Sequence, residues 1–136
     1  VCAVSNKTHY NEVNVLSMHA LIGAYQPQGY EWVDELNQVL AGNIEYFCDY
    51  VDEHFEGVSY SRPQGTYMVF LDCTEWCREH GRDIQWLLDE GARVGVGYQD
   101  GRPFHGPCHI RVNLALPLSR VREACDRLDR YVFNAR

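Results

Sequence analysis

His109-Ile110-Arg111-Val112-Asn113-Leu114-Ala115-Leu116-Pro117 decides how the fold is read. Apolar and polar side chains alternate through this stretch, the period of a strand with one face in a core, so His109 to Leu116 is expected to be a strand. If Ile110, Val112 and Leu114 face inward, Arg111 and Asn113 share the opposite face. After it, Leu118 to Phe133 reads as a closing helix, with Ser119 near its start and Val121, Ala124, Cys125, Leu128 and Val132 on one face. Before it, Gln99 to Pro107 carries two glycines and two prolines and reads as a loop.

Further towards the N-terminus, Arg93 to Tyr98 suits a short strand. Two helical pieces precede it, Thr74 to Gly81 and Asp83 to Gly91, because Thr74 and Asp83 are suitable N-caps and both pieces close at glycine. Val58 to Ser61 and Thr66 to Leu71 read as a hairpin joined by Arg62-Pro63-Gln64-Gly65. Tyr30 to His54 is a long amphipathic helix, with Trp32, Val33, Leu36, Val39, Leu40, Ile44, Phe47, Tyr50 and Val51 three or four apart. A first helix from Asn6 to about Tyr25 ends at the breaker Gln26-Pro27-Gln28-Gly29. Trp32, Trp76, Trp86 and Tyr67 read as core. Helices first, then strands mixed with helices, imply an α+β two-layer sandwich whose small, mainly antiparallel sheet is covered by helices on one side.

The chain has 136 residues, enough for one globular domain with a real core but not for a second full domain. A formal charge of −7 argues against nucleic-acid or anionic-membrane partners, which select clustered Lys and Arg. Small molecules or protein are the expected partners. Six cysteines lie scattered through apolar stretches, which suits reduced, buried thiols better than a disulfide framework. No secretory h-region or membrane-length apolar run is present, so a cytoplasmic location is expected. The start at Val1, already inside an apolar stretch, suggests a piece of a longer protein.

Arg111 carries the most chemistry. A guanidinium on an open strand face presents a planar fork that matches both oxygens of a carboxylate and stays charged near neutral pH. The other reading is an arginine that solvates the sheet or pairs with one of the nineteen acidic residues. His105, Cys108 and His109 lack a second ligand pair at zinc spacing, and Cys73 and Cys77 stand too far apart for a redox Cys-x-x-Cys pair. No serine sits in a glycine elbow and no glycine-rich phosphate loop follows a strand. The only lysine is Lys7.

Four stretches together resemble the C-terminal domain of aminotransferases that use pyridoxal 5'-phosphate (PLP), in the branch of the cystathionine β-lyase-like C–S lyases. They are Arg62-Pro63-Gln64-Gly65-Thr66-Tyr67 running into Met68-Val69-Phe70-Leu71-Asp72, the loop Gly97 to Gly106, the strand His109 to Pro117, and the helix Leu118 to Phe133. The likeness runs from about Ser5 to Asn134. It implies that residues 1–136 form the small domain of a larger homodimeric PLP enzyme acting on an amino-acid substrate, by transamination or β-elimination. Arg111 would then grip the substrate α-carboxylate with Asn113 in support, Gly65 would border the site entrance, and Tyr67 would pack behind it. The loop from Tyr98 to Gly106 departs from the glycine-richer family pattern. The Schiff-base lysine, and with it PLP, would belong to the large domain of the same chain, leaving Lys7 a surface residue at a helix start. No catalytic residue and no bound PLP are then expected here, so this chain alone would be inactive. A stand-alone small-molecule-binding or interaction module, with Arg111 on its sheet face and no chemistry, is the competing reading.

Overall fold

A computed structural model describes residues 14–135, which fall into two compact units divided after Gln38. In the first, helix α1 spans Val15–Ala24 and is capped by the Asn14 side chain, which accepts from the Ser17 N–H at 2.9 Å. The expected start at Asn6 lies outside the described residues. Helix α2 spans Pro27–His54, so the stretch expected to break the helix opens it instead. Proline fits the first helical position, where its fixed φ is already helical and its missing N–H would have had no partner. Val15, Leu16, Trp32 and Val33 are exposed, as is Val39 at the start of the second unit. Trp32, at 62% exposure, is not the core residue its helical spacing suggested.

The second unit is the α+β sandwich. Its strands are β1 (Ser59–Tyr60), β2 (Met68–Asp72), β3 (Gln99–Asp100) and β4 (His109–Asn113), in the order β1-β2-β4-β3 with every pair antiparallel. The hairpin forms, with Ser59 opposite Asp72 and Tyr60 opposite Leu71. Its loop is longer than Arg62 to Gly65, because Thr66 turns its hydroxyl back to accept from the Met68 N–H at 3.3 Å before the strand begins. In β2 and β4, Val69, Leu71, Ile110 and Val112 are buried and the residues between them are not. The buried set joins one core with Phe47, Cys48 and Val51 of α2 and with residues of helices α3 (Thr74–His80), α4 (Ile84–Arg93) and α5 (Leu118–Leu128). Trp76 belongs to this core, Trp86 is partly buried against it, and Tyr67 is 40% exposed. Each large apolar side chain so buried contributes about 1.5–3 kcal/mol. Cys48, Cys73, Cys77 and Cys125 are buried free thiols and Cys108 is half-buried. Burial pushes Cys125 up to about 12.

Several boundaries differ from the sequence reading. Thr74 is the first residue of α3, not its cap; Asp72 caps from two residues upstream, its carboxylate accepting from the Thr74 N–H at 2.9 Å and from its hydroxyl. Asp83 does cap α4, but this helix runs through Gly91 to Arg93, and the left-handed glycine after it is Gly95, whose φ is +76°. Val94 to Tyr98 form no strand, and the strand beside β4 comes later, at Gln99–Asp100. Gly91 is there for space, since a Cβ on it would stand 2.5 Å from the Tyr98 ring. Strand β4 ends at Asn113, short of Leu116, and the last helix passes into a π-helical turn over Asp129–Phe133.

Asn43 is the buried polar residue of this core. Its amide donates to the Leu114 and Leu116 carbonyls at 2.9 and 2.8 Å, tying α2 to the chain leaving β4. Both N–H donors of the buried Asn43 amide are thereby met, each bond being worth about 1 kcal/mol. Asn43→Ala is expected to lower stability by about 2 kcal/mol, and Gly91→Ala by about 1–3 kcal/mol through overpacking against Tyr98, both read from urea unfolding midpoints.

Candidate functional site

The pleat that buries Val69 and Leu71 places Met68, Phe70 and Asp72 on the other face, beside His109 and Arg111 of β4. Strand register sets the neighbours: Phe70 is opposite Arg111, and Asp72 is opposite His109. Gln99 of β3 flanks Arg111 on its other side.

Arg111 is half-buried, as its alternation requires. Its Nε–H points at the Met68 Sδ in close contact, and its guanidinium carbon lies over the Phe104 ring, 4.5 Å from the centroid. Phe104 is presented by the 3₁₀ turn Arg102–Phe104, which His105 closes in the left-handed region at φ 63° by donating its N–H to the Arg102 carbonyl at 3.2 Å. Among the described residues, every ion pair within 4 Å leaves Arg111 out, and neither of its Nη groups donates a hydrogen bond. The charge is steadied by a thioether and an aromatic face, both neutral. Such a fork can take a carboxylate without first breaking an ion pair.

The far end of the same face is closed by the loop 101–106. A Cβ at Gly106 would stand 2.5 Å from the Phe70 ring and 2.6 Å from the His109 side chain, and one at Gly101 would strike the His109 backbone. The two glycines therefore let the loop lie against the sheet. His109 rests on Phe70, with centroids 4.6 Å apart, and its Nε2 is 3.8 Å from the Asp72 carboxylate. Its Nδ1 is buried without a partner. For Asp72, burial pushes the carboxyl up, but the hydrogen bonds from Thr74 and the nearby His109 outweigh it and hold the group below its usual value.

The other expected site residues are less engaged. Asn113 is exposed, and its Oδ1 accepts from the Ala115 N–H at 2.8 Å, turning the chain out of the sheet. It also lines a cleft of about 350 Å³ with Val112, Leu116 and Val121, which Arg111 does not reach. Gly65 is exposed in the β1–β2 loop with open space where a Cβ would be. The side chain of Tyr67 does not pack behind it as a buried residue; its backbone carbonyl accepts from the Leu114 N–H at 2.9 Å. Sequence reasoning missed Met68 and Phe104. Met68 stands in the quoted hairpin and Phe104 in the quoted loop, but strand register brings the first to Arg111 and the 3₁₀ turn of the loop brings the second.

No family model matches the chain. It is 35% identical over 124 residues to the "Putative cystathionine beta-lyase" of Mycobacterium leprae, and 32% identical over 128 residues to the protein of that name in Mycobacterium tuberculosis. Each match covers 79% of this chain and 30% of the relative, so the chain spans under a third of the length of these curated relatives. Among solved structures, the PLP-bound C–S lyase of Staphylococcus hominis superposes with a TM-score of 0.79 at 23% identity, covering 93% of this chain and 33% of that one. Cystalysin of Treponema denticola, which contains PLP, gives 0.73 at 23% identity over 85% of this chain and 29% of its own. The fold is that of the aminotransferase small domain. The resemblance to the cystathionine β-lyase branch is matched by the mycobacterial relatives, and the solved structures share the fold. Among the described residues no helix is long and apolar enough to cross a membrane.

The Asp72 carboxylate gives this face a pH dependence. A carboxyl held below its unfolded value stabilises the fold above the unfolded pKa, near 3.9, and that contribution is lost as pH falls through the lower folded value. Asp72→Ala is expected to cost about 0.5–1 kcal/mol at pH 7 through the lost cap. In urea titrations the difference from the native protein should shrink as pH drops below about 4.

Proposed function

We propose that the chain is the C-terminal small domain of a larger PLP enzyme acting on amino acids, an aminotransferase or C–S β-lyase, in which Arg111 anchors the substrate α-carboxylate. The observation that carries this reading is the Arg111 fork: half-buried, held from one side, and unpaired among the described residues of a chain with nineteen acidic side chains. Arg62, Arg82, Arg122 and Arg130 also stand outside every ion pair within 4 Å among the described residues, but each is exposed, whereas Arg111 is half-buried on the open sheet face. The mycobacterial relatives and the PLP-containing neighbours support the same choice. Asn113 supports Arg111 at a distance by fixing how the chain leaves β4, and Gly65 borders the entrance.

The described residues do not themselves fit PLP. None is a lysine, so none offers the side-chain amine that a Schiff base with the cofactor aldehyde needs. Lys7 lies outside them. In this reading the cofactor site and the proton-transferring base come from the remainder of a longer, cytoplasmic protein, which pairs with a second copy of itself as a homodimer. This chain supplies one anchor, which binds and orients the substrate, and without the remainder it is inactive.

In the full-length protein, Arg111→Ala is expected to weaken amino-acid binding by about 1.5–3 kcal/mol, the worth of a charge-assisted contact, while the cofactor absorbance band stays. Substrate titration followed in that band measures both. Unchanged affinity in the variant would remove Arg111 from the site.

A further inference from the structure

We propose that Met68 and Phe104 are positioning residues for Arg111, fixing its guanidinium so that the ligand carboxylate is taken end-on by the two Nη groups. This rests on the reading that Arg111 binds a carboxylate. A guanidinium has two edges that can meet both carboxylate oxygens, one formed by Nε with an Nη and one formed by the Nη pair. The contact to Met68 Sδ occupies Nε and so removes the first edge. Met68 is suited to this by register: it pairs with Asn113, one step diagonal to Arg111 on the same face, within reach of two long side chains.

The thioether also has the right chemistry. Sulfur is a weak, neutral acceptor, so it orients the guanidinium without cancelling its charge. A carboxylate in its place would form a closed ion pair and compete with the ligand. Phe104 holds the group from a second direction, 4.5 Å away, on a turn pinned by the Phe104 N–H donating to the Gly101 carbonyl at 2.8 Å. With Nε held and one face over a ring, the Nη pair is left as the edge that can receive the ligand.

The test uses the full-length protein with arginine labelled by nitrogen-15 and L-alanine as the carboxylate probe, comparing native protein with Met68→Leu, Met68→Gln, Phe104→Leu and Arg111→Ala. Met68→Leu keeps the volume and removes the acceptor. It should weaken L-alanine binding about twofold to fivefold, the lower part of what one ordinary hydrogen bond is worth, and speed solvent exchange of the Arg111 Nε–H. Met68→Gln returns an acceptor and should restore both, which a packing role alone would not do. If Met68→Leu keeps native affinity and native exchange while Arg111→Ala has lost binding, the anchor stands and the positioning is overturned. If Arg111→Ala binds as the native protein does, the underlying reading fails. Should Met68→Leu fail to fold by circular dichroism, Phe104→Leu decides: weaker binding sustains the proposal and native affinity overturns it.

Discussion

The antiparallel register between β2 and β4 is the constraint on which the second unit depends. It sets Val69 against Val112 and Leu71 against Ile110 on the buried face, and by the same pleat sets Phe70 against Arg111 on the open one. A slip of one residue would drive Arg111 into the core and turn Ile110 and Val112 outward. Burying an unpaired guanidinium costs far more than any local adjustment could return. The hydrophobic effect therefore places the open face without contacting it: four apolar side chains fixed from behind determine where one cation points in front.

The ends of that strand pair are secured by polar and steric devices. At one end Asn43 fastens the Leu114 and Leu116 carbonyls, and Asn113 turns the chain through its own side chain. At the other, Asp72 caps α3 while lying beside His109, and Gly101 and Gly106 bring the loop down onto Phe70 and His109. Phe104 rides on that loop. The glycines thus connect backbone close approach at one end of the face with aromatic support of Arg111 in its middle.

What the sequence made legible follows from period. Alternation in His109 to Asn113 and the helical spacing of Phe47, Val51, Val121, Cys125 and Leu128 are properties of single segments, and these readings match the buried set. The losses came where meaning depends on a distant partner. Gly91 looks like a helix stop, yet its lack of a side chain serves Tyr98, seven positions on; Val94 and Val96 alternate like a strand, yet they pack on the core without a neighbouring strand. Pro27 has the composition of a breaker and the φ of a first helical residue. The apolar spacing around Trp32 and Val33 signals a face that excludes water somewhere, and periodicity alone cannot name what covers it. At the candidate site, Arg111 was legible because its strand is, whereas Met68 comes to it through the register of β2 and Phe104 through the turn of the loop.

The central claim is that the open face of this sheet recognises a carboxylate through Arg111. Its most direct test compares the binding of an amino acid with that of the matching carboxamide to the full-length protein, the side chain being held constant. The account predicts that the amide binds at least about tenfold more weakly, since it keeps the shape and loses the charge-assisted contact. Equal affinity for the two would contradict it.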